Sequence, residues 1–213
     1  MSRGSTRIVV ATANAHKLTE IAAILAGVPA LAAAPPVLVP MSELGVPSPV
    51  EDGATFAANA LIKARACATA TGLPALADDS GIAVEALDGG PGVRSARFAG
   101  EPTDDAANNA LLLARLDDSG AVGPAARRAA FVCAAALVLP DGTERVAEGR
   151  MEGHVVAAPR GTHGFGYDPL FVADATPDGR TNGELLPAEK DAISHRGAAF
   201  RALAPELAAL LNR

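Results

Sequence analysis

The sequence predicts an α/β fold built on a mixed sheet. Short apolar strands and amphipathic helices alternate through the first half of the chain, and a hairpin pattern follows in the second. Composition agrees with a globular class: 49% hydrophobic and 20% charged residues over 213 positions, enough chain to bury most of its apolar surface in one domain or two closely joined lobes.

Residues 7–13, "RIVVATA", read as a short strand. A helix over 14–27 follows, where Leu18, Ile21 and Leu25 recur at helical spacing and Gly27 is placed to stop it. A Pro-rich connection leads to a second helix from Phe56 to Thr71, with Thr55 placed as its cap and Gly72 as its stop. The segment 73–87, "LPALADDSGIAVEAL", reads as two short strands joined by a turn at Asp78-Asp79-Ser80-Gly81. After a glycine-rich loop, Thr103 is placed to cap a helix running to Asp118, with acids in its first turn. Residues 129–156 read as a hairpin around Asp141-Gly142, and the C-terminus as helical from Pro187 to Leu211, interrupted near Ser194 and Pro205. No internal repeat or low-complexity linker breaks this order.

Several function classes are disfavoured. A net charge of −6 argues against a general nucleic-acid binder, which needs a basic face to neutralise phosphates. No apolar run reaches the roughly 18–20 residues of a membrane span, and the N-terminus lacks the apolar core of a signal peptide. A cytoplasmic location is expected. Cys67 and Cys133 stand in apolar contexts and read as reduced core thiols.

Cations stand at two helix starts, where the backbone dipole disfavours them. Lys17 falls in the first turn of its helix, at a cost of roughly 0.3–1 kcal/mol that a bound anion would reverse. Ser194 looks like a cap followed at once by His195 and Arg196. Together they suggest an anionic ligand carrying several charges, although neither common nucleotide-binding glycine motif is present. Asp78 and Asp79, if extended, point to opposite faces, so they do not share one ion and one of them is structural. A carboxylate at a strand end facing lysines suits Mg²⁺, which takes one or two carboxylates plus water and substrate phosphates. The loop Gly164-Phe165-Gly166-Tyr167-Asp168-Pro169 places two aromatics where a base can stack. Asn59 and Lys63 share one helix face.

Taken in order, five segments resemble the inosine/xanthosine triphosphate pyrophosphatase family over nearly the whole chain: "VVATANAHKLTEIAAIL", "VEDGATFAANALIKARA", "ALADDSGIAVEALDGGPGVRSARFAG", "GFGYDPLF" and "EKDAISHRGAAF". The resemblance implies hydrolysis of ITP, dITP and XTP to the monophosphate and pyrophosphate with Mg²⁺. It also implies an elongated, two-lobed single domain over 1–213 with the active-site cleft between the lobes, and a homodimer. Carried over by position, Thr12, Ala13, Asn14, Ala15, His16 and Lys17 would contact the triphosphate, with Ser80 beside the site. Asp79 would be catalytic and would hold metal with Glu51, and Lys63 would assist. Phe165, Gly166, Tyr167, Asp168, Lys190, His195 and Arg196 would hold the nucleotide and its base. Three departures stand out: Ala13 where many relatives carry Gly, Ala58 in place of an acid, and Val50 before Glu51 where some carry a second acid. The rivals are a Maf-like pyrophosphatase of other base specificity, which "GFGYDP" and "SHR" disfavour, and a nucleotide-binding regulator without turnover.

Overall fold

The computed structural model describes residues 6–32 and 35–211. Among them, six strands form a mixed sheet in the order β2-β1-β3-β4-β5-β6. These are β1 (Arg7–Val10), β2 (Val37–Pro40), β3 (Ala75–Val84), β4 (Arg128–Val138), β5 (Glu144–Val155) and β6 (Phe171–Ala173). β1 runs parallel to β2 and β3, whereas β6 is antiparallel to β5. The helices are α1 (Ala15–Ala26), α2 (Phe56–Thr71), α3 (Asp105–Asp118), the single turn α4 (Gly123–Ala126), α5 (Pro187–Ile193) and α6 (His195–Leu211). The α/β class with a mixed sheet is therefore what the chain adopts. No described helix is long and apolar enough to cross a membrane.

Four local expectations need correction. The segment at 73–87 is not two strands and a turn: β3 runs unbroken through Asp78, Asp79, Ser80 and Gly81. Both acids find partners where they stand, so tertiary pairing overrides their turn preference. The Pro-rich connection contains β2, which lies at the sheet edge, where a missing proline N–H breaks no ladder. α3 is capped by Asp104 rather than Thr103; its carboxylate accepts from the N–H groups of Ala106 at 2.8 Å and Ala107 at 3.1 Å. The C-terminal helices part at Ser194, as expected, but α6 continues through Pro205. Leu203, Ala204 and Leu207 are buried around that proline and hold the turn in place.

The chain resolves into two compact units. One runs to Asp79 and takes in Cys133–Gly149 and the chain from Arg196 onward. Its strands alternate strictly, as a period of two requires. Ile8, Val10, Leu76, Cys133, Ala135 and Leu137 pack on one face with α1 and α6. Val9, Ala11, Ala75, Ala77, Ala134 and Ala136 pack on the other with α2. The alanine-rich face admits α2 closely, and α2 meets it with Ala60, Ala64, Cys67 and Ala68. Both cysteines are buried free thiols.

The other unit comprises Ser80–Val132 and Arg150–His195. Its core joins Ile82 and Val84 of β3 to Leu112 and Leu116 of α3, with Phe131, Met151, Val155, Tyr167, Leu170 and Phe171.

Candidate active site

The alternation along β3 separates the two adjacent acids. Asp78 shares the face of Leu76, toward α1 and α6; Asp79 shares the face of Ala77, toward α2. Their roles follow from these surroundings.

Asp78 is 1% exposed. Its Oδ2 stands 3.2 Å from Lys17 Nζ and accepts from Arg196 Nη2 at 3.0 Å and Nε at 3.2 Å. Arg196, equally buried, also reaches Glu20 with Nη1. Burial alone would raise the Asp78 pKa, but Lys17, Arg196 and Lys63 outweigh it and hold the carboxyl well below its usual range. Arg196 is likewise held above the usual guanidinium range: burial opposes its charge, and Asp78, Cys133 and Glu20 together more than compensate. Asp78 is the structural one of the two acids, and it stands in a continuous strand and not in the expected turn. It is the centre of a buried ionic knot joining α1, β3 and α6, which holds the Lys17 ammonium in place.

The N-terminus of α1 is already partly satisfied. Asn14 caps it, Oδ1 accepting from the N–H groups of His16 at 2.9 Å and Lys17 at 3.2 Å, while Thr12 Oγ1 accepts from Asn14 N at 3.1 Å. Ala13, Ala15 and His16 are exposed along this turn.

On the opposite face, Lys63 Nζ donates to Glu51 Oε2 at 2.8 Å and to Asp79 Oδ1 at 3.2 Å. Asn59 Nδ2 donates to Asp79 Oδ2 at 3.1 Å, and its Oδ1 accepts from Gly53 N at 2.8 Å. Thr55, Asn59 and Lys63 recur every fourth residue, so the helix that Thr55 caps presents the other two to β3. Burial raises the Asp79 pKa, and Glu51 adds to the rise; Lys63, Lys17 and the Asn59 hydrogen bond only partly offset it. Lys63 is held above its usual range because Asp79, Asp78 and Glu51 together overcome its burial. A half-compensated carboxylate beside a lysine is the kind of perturbed pair that marks reactive sites. Ser80 follows in β3, partly buried.

Asp79 and Glu51 converge on a single cationic centre, the Lys63 ammonium. Among the described residues no group of three or more His, Cys, Asp and Glu is arranged to hold a metal ion by itself. This donor set fits a magnesium ion, which needs only one or two carboxylates when phosphate oxygens and water complete its shell. It does not fit a closed transition-metal site.

The second unit gathers the other expected residues. Asp168, 2% exposed, accepts from Lys190 Nζ at 2.6 Å and Phe165 N at 2.9 Å on Oδ2, and from Asn182 Nδ2 at 3.2 Å on Oδ1. Lys190 also lies over the Phe165 ring, 5.1 Å from its centroid. Gly164 is required here: its φ is +75°, and a Cβ would stand 2.1 Å from Asp168 Oδ2. Tyr167 is buried, with its hydroxyl donating to Ser95 O at 2.8 Å. His195 stacks on Phe131, ring centroids 4.9 Å apart. Phe165 and Gly166 remain partly exposed.

Thus in the first unit Lys17 and Arg196 meet at Asp78 on one face of β3, and Lys63, Asp79 and Glu51 meet on the other; in the second unit Asp168 gathers Phe165 and Lys190, while His195 packs on Phe131. Sequence reasoning missed Asn59 as a partner of Asp79, although its spacing from Lys63 was visible. It also missed Glu20, three residues after Lys17, and it had no signal for Ser95 or Asn182, which arrive through space.

Known proteins share this framework. A relative from Frankia alni named dITP/XTP pyrophosphatase is 56% identical over 211 residues, covering 97% of this chain and 99% of the relative. One of the same name from Streptomyces coelicolor is 53% identical over 208 residues, covering 97% of this chain and 100% of its own. Among solved structures, a HAM1 protein from Coxiella burnetii superposes with a TM-score of 0.82 at 40% identity, covering 95% of this chain and 98% of that one. A nucleoside-triphosphatase / dITP/XTP pyrophosphatase from Mycobacterium abscessus gives 0.71 at 48% identity, covering 95% and 99%. The profile of the Ham1 family matches residues 8–206, and with it the chain belongs to that family.

Proposed function

We propose that this protein hydrolyses ITP, dITP and XTP at the α–β phosphoanhydride, releasing the monophosphate and pyrophosphate and so clearing deaminated purines from the nucleotide pool. The observation that carries this reading is the pair of opposed ionic clusters around β3: Lys63 between Glu51 and Asp79, and Lys17 held by Asp78. Relatives named dITP/XTP pyrophosphatase at about half identity support the substrate class.

Asp79 orients water for attack on the α-phosphorus and accepts its proton. The bond from that phosphorus to the bridging oxygen breaks, and pyrophosphate departs with the electron pair. Lys17 and Lys63 offset the charge gathering on the leaving group, which is usually the larger share of catalysis. Asp79 and Glu51 would hold Mg²⁺, which supplies Lewis-acid neutralisation of phosphate charge when bound. In the second unit, Phe165 offers a ring face, and the Lys190 ammonium hydrogens beyond the one given to Asp168 are donors for the 6-keto oxygen of hypoxanthine or xanthine. Adenine presents an amino donor at that position and would leave them unpaired, a penalty that separates substrates by ~10⁴ or more. The reading also carries a cytoplasmic homodimer, testable by light scattering, which should return twice the chain mass.

The test measures pyrophosphate and monophosphate from ITP, XTP, GTP, ATP and dTTP, with Mg²⁺ and with EDTA. Pyrophosphate from ITP and XTP far above the rest, and lost with EDTA, is expected. A preference for dTTP would support the Maf-like reading, and binding without turnover would support the regulator.

A further inference from the structure

The peptide of Gly166 is gripped from both sides by one helix. Asp105 Oδ2 accepts from Gly166 N at 2.7 Å, and Asn109 Nδ2 donates to Gly166 O at 3.0 Å. Asp105 and Asn109 lie one turn apart on α3 and therefore share a face. Neither belongs to the ionic clusters described above. Gly166 itself has a φ of +62°, a conformation that offers no help in fixing a flexible loop. The clamp supplies that constraint midway between Phe165, the partly exposed stacking ring, and Tyr167, the buried anchor on Ser95.

The chemistry of Asn109 points beyond plain stability. Its orientation is determined, since the opposite one would set Oδ1 against the Gly166 carbonyl. With Nδ2 so used, Oδ1 is left buried without a hydrogen-bond partner among the described residues. A buried amide oxygen without a partner is a cost that a leucine of similar volume would avoid. A position selected for packing alone would not keep it. Rule-breaking of this kind is expected where function is served.

We propose that Asp105 and Asn109 are positioning residues for nucleoside recognition: by holding the Gly166 peptide they set where the Phe165 ring stands to receive the base. The inference rests on the reading of the Phe165–Asp168 loop as the nucleoside site. It assigns no chemical step to either residue, so its signature is in KM and not in kcat.

The test compares wild type with Asn109→Leu, Asp105→Leu and Asp105→Asn. Steady-state kinetics on ITP are measured beside binding of IMP, followed by tyrosine emission. The chain has one Tyr and no Trp, so that emission comes from Tyr167, inside the loop. Both Leu variants should raise KM for ITP and Kd for IMP about 3- to 10-fold, the equivalent of one lost hydrogen bond, with kcat within about twofold. Asp105→Asn keeps an acceptor for the Gly166 N–H and should recover most of the loss. If Asn109→Leu fails to fold, Asp105→Leu decides, because Asp105 is exposed. Wild-type KM and Kd in the Leu variants, or a fall in kcat at unchanged KM, overturns the clamp while leaving the enzyme's function standing. A wild type that neither releases pyrophosphate from ITP nor responds to IMP overturns the functional reading, and the clamp with it.

Discussion

Asp78 and Asp79 are consecutive and chemically identical, yet their environments drive them apart. Asp78 has Lys17 and Arg196 gathered on its Oδ2 and is kept charged; Asp79 shares Lys63 with Glu51 and is pushed toward its neutral form by burial. Substitution by asparagine should therefore separate stability from catalysis. Asp79→Asn should lose at least about 100-fold in kcat, the low end of what a positioned proton acceptor supplies, with Tm unchanged or raised because an incompletely paired buried charge is removed. Asp78→Asn leaves Arg196 and Lys17 against a neutral amide and should cost about 3 kcal/mol, a fall of roughly 6–12 °C in Tm for a chain this long. Calorimetry beside a pyrophosphate assay checks both; equal effects in the two variants would refute the division of labour.

α2 shows how an element turns spacing into a site. Thr55 Oγ1 accepts from Ala58 N at 3.1 Å, and the four-residue repeat carries Asn59 and Lys63 to the Asp79 face. Thr55→Ala should cost about 1 kcal/mol, the usual worth of such a cap, read as a lower urea midpoint at unchanged m. Caps of this kind were legible, as were Gly27, Gly72 and the Asp141-Gly142 hairpin, where Thr143 N bonds to Asp141 Oδ1 at 2.9 Å. What local patterns misjudged were the elements whose conformation depends on partners. β2 needs only the sheet edge to tolerate its proline, and β3 stays extended because both faces of Asp78-Asp79 are paired. The Thr103 cap was displaced by one residue because Asp104, adjacent and also a strong cap, bonds two N–H groups.

For the molecule as a whole, the response to mild acid is testable through His154 on β5. Burial lowers its pKa from 6.5, and Arg128 and Arg160 add to the fall against Asp174. The unfolded chain then binds more protons than the folded one in the window just below 6.5, so stability rises with pH across it and is lost on acidification. His154→Gln should flatten that limb of a Tm–pH curve while leaving the carboxylate limb at lower pH in place; an unchanged curve would exclude the histidine as its source.

The sequence by itself determined the α/β class, the order of the helices, the core alternation along the strands, the buried free cysteines and the family. All of these rest on periodicity, caps and motifs that span a few residues and survive in one dimension. It also brought Lys17 and Asp79 forward as charged residues in unusual places, and Lys63 through the family resemblance. Only the tertiary structure decided which acid is the ionic anchor, that Arg196 faces Asp78 and Glu20, that Asn59 steadies Asp79, and that α3 grips the Gly166 peptide. Those decisions depend on which groups meet in space across separations such as 118 residues between Asp78 and Arg196. There a charge's cost is set by burial and by the partners that burial brings, and neither is written in the local pattern.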